Sequence, residues 1–130
     1  MKVTNVKHED ITEINRLLKS SPLVTTSIIK GLIGNLDNPA GVSVKMVDDS
    51  GKLLGVWFSL EFTDYISLSH FYVIEEVRCS KKALVFFKIC YDLVPKDKPL
   101  LLKANDTSLF KKRVVHVESD VYMFTGGISV

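Results

Sequence analysis

The first forty residues combine a short strand pattern with two stretches of helical periodicity. Residues 2–7 predict a strand whose apolar points are Val3 and Val6. Asp10-Ile11-Thr12-Glu13 is a capping-box pattern with Asp10 as N-cap, and Ser20-Ser21-Pro22 ends the helix that it opens. Apolar residues return on one side of a second helix over residues 28–33, and Gly34-Asn35 with residues 37–41 predicts a loop.

The spacing of apolar residues changes to a period of two in the middle of the chain. Residues 42–46, 54–62 and 65–74 are each rich in apolar, aromatic or β-branched side chains at strand spacing. Asp48-Asp49-Ser50-Gly51 is a strong turn signal between the first two strands, and Thr63-Asp64 precedes the third. We therefore expect an antiparallel meander of three strands.

A strongly apolar helix is predicted after the meander, over residues 81–94, and Pro95 ends it. Its wide apolar face predicts the most buried helix of the chain. Residues 100–104 form a short apolar strand, so the order strand, helix, strand predicts a parallel pair with a right-handed crossover. A short helix over residues 105–113 and a hairpin of residues 114–117 and 121–125 complete the chain.

The predicted order β-α-α-β-β-β-α-β-α-β-β defines the fold class as α/β of the mixed α+β kind. One mixed, mostly antiparallel sheet with helices on both faces, in three layers, follows from that order. The chain has 130 residues, which is the length of one ordinary domain, so we expect a single domain over residues 1–130.

Composition narrows the classes of function. The formal net charge is only +2, which excludes a strong general attraction to polyanions, so no nucleic-acid partner is expected. The N-terminal residues are polar and no apolar stretch is long enough to span a bilayer. Cys79 and Cys90 have neither metal-ligand spacing nor a secreted framework around them. We expect a cytoplasmic protein with no metal site and no membrane partner.

The segment that joins the third strand of the meander to the long helix is a candidate anion site. The first turn of a helix has unpaired backbone N–H groups and a positive dipole end, which together suit a pyrophosphate. Lys81 and Lys82 lie in that turn, where their charge opposes the dipole, and this placement favours an anionic partner. The alternative is that both lysines are simply solvated.

The residues Val73-Ile74-Glu75-Glu76-Val77-Arg78-Cys79-Ser80-Lys81-Lys82-Ala83-Leu84, taken with the element order, resemble the GNAT superfamily of N-acetyltransferases. In that family a Gln/Arg-x-x-Gly-x-Gly/Ala signature follows a strand and opens a helix. Arg78 fills the first position and Ala83 the last, whereas Lys81 stands in place of the central glycine. The segment is similar to that of small, divergent GNAT-like proteins of tailed phages, for which the location would be the host cytoplasm.

The resemblance implies an acetyl-CoA site and acyl transfer to an amine or protein acceptor. The implied cofactor-binding residues are Tyr72, Val73, Arg78, Cys79, Ser80, Lys81, Lys82, Ala83, Leu84 and Asn105. The candidate bases are Glu61, near the end of its strand, and His70, which is predicted to share a strand face with Leu68 and Tyr72.

The helix after the fifth predicted strand carries no tyrosine, although the family often has its general acid there. Tyr65 and Tyr72 are therefore the candidate acids. The alternatives are a hydrogen-bonded core histidine at His70, a solvated carboxylate at Glu61 and a packed aromatic ring at Tyr72.

Two functions follow from the resemblance and stay open at this point. The first is a GNAT-like acyl-CoA-dependent N-acyltransferase or a degenerate relative that still binds acetyl-CoA. The second is a catalytically inactive interaction module of the same fold, whose partner would be a host or virion protein. The lysine at the central glycine position and the missing helix tyrosine separate the two readings, because they affect catalysis more than fold.

Overall fold

The computed structural model describes residues 1–19, 29–78, 80–103, 114–118 and 121–124. In these residues seven strands form one sheet in the order β1-β2-β3-β4-β5-β7-β6. The strands are β1 (Lys2–Asn5), β2 (Gly41–Val47), β3 (Leu53–Glu61), β4 (Ile66–Val73), β5 (Leu100–Lys103), β6 (Val114–Glu118) and β7 (Val121–Phe124). The helices are α1 (Ile11–Lys19), α2 (Ile29–Asp37) and α3 (Lys81–Tyr91), with 3₁₀ turns at His8–Asp10 and Glu75–Val77.

Strand pairing confirms the predicted sheet. β1, β2, β3 and β4 pair in chain order and antiparallel, which is the expected meander extended by β1. β4 and β5 are parallel neighbours joined through α3, and β6 and β7 form the closing hairpin, with β7 against β5. The helix predicted over residues 105–113 lies outside the described residues.

The helices pack on both faces of the sheet, as the element order predicts. One core lies between the sheet and α3, which contributes Ala83, Phe86, Phe87 and Cys90. The other lies between the sheet and the pair α1 and α2, which contribute Ile11, Ile14, Leu18 and Leu32. Because β3 is sandwiched between the two cores, its residues from Leu53 to Ser59 are all buried, and the strict alternation that its sequence suggested is absent.

Two bulges interrupt the central strands. Met46 lies opposite Gly55 and Val47 opposite Leu53, so Leu54 is an extra residue in β3. Phe58 lies opposite His70 and Ser59 opposite Leu68, so Ser69 is an extra residue in β4. A single extra residue reverses the side-chain alternation of the strand that contains it. The second bulge determines which side chains of β4 lie on each face.

Helix α2 is longer than the sequence predicted, because Gly34-Asn35 is helical and the helix ends only at Asp37. The buried amide of Asn35 donates a 2.9 Å hydrogen bond to the Ser43 hydroxyl of β2, which anchors this last turn to the sheet. The approach is so close that a Cβ on Gly41 would lie 2.2 Å from the carbonyl oxygen of Asn35. A tertiary hydrogen bond has overridden a local loop signal.

Helix α3 is shorter than predicted, because it ends at Tyr91 rather than at residue 94. The ammonium of Lys96 donates to the carbonyl oxygens of Tyr91 and Val94 and lies over the Tyr91 ring, 4.2 Å from its centroid. A cation at the carboxyl end of a helix satisfies the last carbonyl groups and complements the dipole. The residues that follow α3 therefore form its cap.

Asp10 was predicted as the N-cap of α1, and the structure assigns it a different role. It closes the 3₁₀ turn before α1, where its carboxylate accepts a 2.8 Å hydrogen bond from the backbone N–H of Lys7. The same carboxylate accepts a 2.8 Å hydrogen bond from the ammonium of Lys45 in β2. Asp10 therefore ties the start of the helical layer to the sheet.

Candidate cofactor site

An opening between β4 and β5 is the main feature of the centre of the sheet. Ile66 and Ser67 pair with Leu100 and Leu101, but no further pairing joins the two strands among the described residues. Leu102 and Lys103 continue β5 as partners of β7 alone in this part of the chain. The last part of β4 thus forms one side of an opening in the middle of the sheet.

The bulge at Ser69 determines on which face of the sheet the side chains of β4 beside this opening lie. The His70 ring packs edge-on against Phe58 with ring centroids 6.1 Å apart, on the face covered by α1 and α2. Leu68 packs into the α3 core on the opposite face. The prediction that His70 shares a face with Leu68 is therefore wrong, because it assumed an unbroken alternation.

Arg78 folds back onto the end of β4. The backbone N–H of Ile74 donates to Leu54 of β3, so strand alternation directs the backbone groups of Val73 to the opposite side, towards the opening. Arg78 Nε donates a 3.0 Å hydrogen bond to that Val73 carbonyl oxygen. Its guanidinium carbon also lies 5.0 Å from the centroid of the Tyr72 ring. We call these three residues, Tyr72, Val73 and Arg78, the arginine clasp.

The start of α3 lies immediately after the arginine clasp. Ser80 is the N-cap: its hydroxyl accepts a 3.4 Å hydrogen bond from the Ala83 N–H and donates to the Val77 carbonyl oxygen. Lys81 and Lys82 are exposed, so their ammonium groups face solvent around this helix end. Ala83 is fully buried in the α3 core, and Leu84 packs against that core.

Glu61 does not lie with the other site residues. It is opposite Ile66, at the end of β4 that is still paired with β5. Its carboxylate forms an ion pair with Lys98, whose ammonium also donates a 3.0 Å hydrogen bond to the Phe62 carbonyl oxygen. The Glu61 backbone N–H binds the Ala40 carbonyl oxygen at 3.0 Å. These contacts hold Glu61 at the end of β4 that is paired with β5, away from the opening.

The sequence-predicted site residues therefore fall into three groups. Two candidates, Cys79 and Asn105, lie outside the described residues. Glu61 is at the far end of the sheet, and the others gather around the end of β4 and the start of α3: His70, Tyr72, Val73, Arg78, Ser80, Lys81, Lys82, Ala83 and Leu84. Sequence reasoning missed Ser69, because a bulge without glycine leaves no signal in the sequence.

Comparison with known proteins supports the fold only. No family model and no curated protein matches the sequence. Solved structures do match. The ribosomal-protein-S18-alanine N-acetyltransferase of Escherichia coli is 11% identical, with 94% of this chain and 89% of that chain covered at a TM-score of 0.74. A GNAT-family acetyltransferase of Staphylococcus aureus is 10% identical, with 95% and 97% covered at a TM-score of 0.71.

A third structure is a chimera that includes the Vibrio cholerae spermidine N-acetyltransferase. It is 11% identical, with 95% of each chain covered and a TM-score of 0.71. The chain therefore has the fold of the GNAT N-acetyltransferases, as its element order and its Arg78–Ala83 segment predicted. No helix among the described residues is long and apolar enough to cross a membrane.

Proposed function

We propose that the protein binds acetyl-CoA at the open edge of β4 and acts as an N-acyltransferase. The observation that carries this proposal is the juxtaposition of two features within a dozen residues. The open end of β4 suits an extended amide chain, and the lysine-flanked start of α3 suits an anion. Coenzyme A combines these two chemistries, because its pantetheine arm carries two amides and its nucleotide end carries a pyrophosphate.

The pyrophosphate would lie at the start of α3. Lys81 and Lys82 supply positive charge there, while the Ala83 N–H is already held by the long Ser80 contact of 3.4 Å. The lysine at the central glycine position of the motif does not block the proposed phosphate position, because the Lys81 side chain is exposed to solvent. Arg78, also exposed, adds a third cation at the same end of β4.

Acyl transfer at this edge would need a base and an acid. The amine nitrogen attacks the thioester carbonyl carbon, the C–S bond breaks, the amine loses a proton to the base and the thiolate accepts one from the acid. His70 is the favoured base because it lies after the bulge, in the part of β4 that is not paired with the described residues of β5. Glu61 is less suitable because its carboxylate forms an ion pair with Lys98. Tyr72, two residues further along β4, is the favoured acid.

The acceptor class is an amine of a protein or small molecule. Two structurally similar proteins are named for a ribosomal-protein alanine and for spermidine, and both acceptors are amines. If the protein is encoded by a phage, its acceptor or partner would be a host or virion protein. The proposal does not extend beyond the amine class.

Thermal unfolding tests the proposed cofactor. Acetyl-CoA at about 100 times its dissociation constant should add about 2.7 kcal/mol to the free energy of unfolding. The double variant Lys81→Glu/Lys82→Glu should lose most of that gain, because it places negative charge at the phosphate position. The control is Lys30→Glu, the same change at an exposed lysine of α2. Equal stabilisation of all three proteins would refute the phosphate site, and none in the wild type would refute acetyl-CoA binding.

Turnover is expected to be slow. General acid catalysis is typically worth about 10²–10⁴-fold in rate, and no tyrosine occurs between Leu93 and Val121 to supply it in the usual helix. A thiol-release assay with acetyl-CoA and a panel of amines measures the rate. If Tyr72 replaces the missing acid, Tyr72→Phe should abolish the remaining turnover without lowering acetyl-CoA affinity.

An interaction module is the second candidate function, and one observation favours it. The hydrogen-bonding groups that a cofactor would use at the Val73 carbonyl and the Ala83 N–H are already satisfied within the chain. In a protein that no longer binds acetyl-CoA, these internal hydrogen bonds would not compete with a ligand. Absence of both binding and turnover in the assays above would support this function.

A further inference from the structure

In the arginine clasp, Arg78 occupies the Val73 carbonyl oxygen, which is a hydrogen-bond acceptor for an extended ligand in the β4 opening. The Val73 carbonyl oxygen points towards the opening, and Arg78 Nε holds it at 3.0 Å. The guanidinium also lies over the Tyr72 ring, with 5.0 Å between the ring centroid and the guanidinium carbon. Arg78 is nevertheless exposed, so its side chain can move away from β4 without disturbing the core.

We propose that Arg78 makes entry of the pantetheine arm conditional on the phosphate group of the same cofactor; this inference rests on the proposed acetyl-CoA site. A pyrophosphate at the start of α3 attracts the guanidinium, because charged bidentate contacts to phosphate are stronger than one bond to a neutral carbonyl. The Val73 carbonyl oxygen is then released and accepts an amide N–H of the pantetheine arm. Arg78 thus acts as a specificity-determining residue.

The consequence is selection against acyl thioesters that lack a phosphate. A pantetheine thioester alone must displace Arg78 from Val73 without offering the guanidinium a replacement anion. The phosphorylated carrier supplies that anion. The two halves of the cofactor therefore bind with positive coupling through one side chain, and the coupling disappears when that side chain cannot bridge the two positions.

Fragment binding separates this coupling from ordinary phosphate recognition. Pantetheine is titrated into the wild type, with and without saturating inorganic pyrophosphate, and amide shifts in NMR spectra report affinity. Pyrophosphate should tighten pantetheine binding to the wild type by about 2- to 10-fold, the range set by one net hydrogen bond. Arg78→Met, which keeps an aliphatic side chain but no guanidinium, and Arg78→Ala should bind pantetheine tighter by a similar factor with no added effect of pyrophosphate.

The matched control is Arg16→Ala, which removes an exposed arginine from α1 and should behave as the wild type. If the wild type binds acetyl-CoA but the Arg78 variants show no gain for pantetheine, the clasp is refuted and the cofactor site stands. If pyrophosphate leaves pantetheine affinity of the wild type unchanged, the coupling is refuted in the same way. If the wild type does not bind acetyl-CoA at all, both the proposed function and the clasp fail.

Discussion

The Ser69 hydroxyl donates a 2.9 Å hydrogen bond to the carbonyl oxygen of Phe58, at the position where β4 has one residue more than β3. The bond ties the bulged residue to the neighbouring strand. Because of the extra residue, Leu68 packs towards α3, whereas His70 contacts Phe58 on the face of α1 and α2. Leu68 and His70, which an unbroken strand would place on one face, therefore lie on opposite faces of the sheet.

Deleting Ser69 should leave the fold intact. Without the extra residue Leu68 and His70 become consecutive, so regular alternation keeps Phe71 and Val73 on the α3 face and His70 on the opposite face. Ser69→Ala keeps the residue count and loses only one partly exposed hydrogen bond, so it should cost about 0.5–1.5 kcal/mol. Urea denaturation monitored by circular dichroism measures both variants. A deletion variant that fails to unfold cooperatively would show that β4 needs the bulge for more than the faces of its side chains.

Gly55→Ala should destabilise the protein by about 1–3 kcal/mol, the usual cost of overpacking. An added Cβ would lie 2.9 Å from Val73 Cγ1 and 3.0 Å from the Tyr72 carbonyl oxygen, so β3 and the end of β4 must move apart. The same shift should weaken acetyl-CoA binding. Gly31→Ala is the control, since a Cβ there meets nothing within 4 Å and α2 should gain stability. Equal effects of the two substitutions on stability would contradict the close contact at Gly55.

Asp10 should make stability depend on pH in the acid range. Burial acts to raise the pKa of Asp10, but the hydrogen bonds and positive charges of Lys45 and Lys7 outweigh it and hold the pKa below its ordinary value of 3.8. The stabilisation is therefore complete above about pH 4 and is lost as the pH falls through the lowered pKa.

Asp10→Asn measures this contribution directly. The variant should be about 1.5–3 kcal/mol less stable than the wild type at neutral pH, the usual contribution of hydrogen bonds to a charged group. The difference should stay constant down to about pH 5 and shrink below about pH 4. Urea titrations at several pH values test it. A difference that grows as the pH falls would have the wrong sign for a carboxylate with a lowered pKa.

Cys90 should be inert to thiol reagents in the folded protein. Its side chain is fully buried in the α3 core, and burial raises the pKa of its thiol far above the ordinary value. In a Cys79→Ser variant, a chromogenic disulfide reagent should label no thiol in native buffer and one thiol in urea. Rapid labelling of Cys90 without denaturant would mean that α3 opens far more often than its packing suggests.

The element order could be predicted from the sequence because each element carries its own periodic signal. The meander, the crossover through α3 and the final hairpin follow from runs of residues that need no partner to be recognised. The side of β4 on which His70 lies could not be predicted, because the bulge at Ser69 is a property of two paired strands. The extension of α2 through Gly34-Asn35 likewise depends on Ser43, which is distant in sequence.

Within the candidate site, the residues of the motif could be named but their contacts could not. The family signature identifies Arg78 and Ala83 as motif residues and implies that both are available to a ligand. Ala83 is buried, so a charged substitution there would damage the core and could not serve as a test of binding. Arg78 binds its own strand, since its side chain is long enough to reach back to Val73.

The short pairing of β4 with β5 also bears on the solubility of the protein. Strand edges attract other strands, and a flat exposed edge is a site of aggregation. Here the edge of β4 is inside the sheet, beside β5, to which Ile66 and Ser67 join it. An unpaired edge that lies between two strands of one sheet is less accessible to a strand of another molecule than an outer edge is. The unpaired part of β4 is therefore less prone to edge-to-edge association between copies of the protein than an outer strand is.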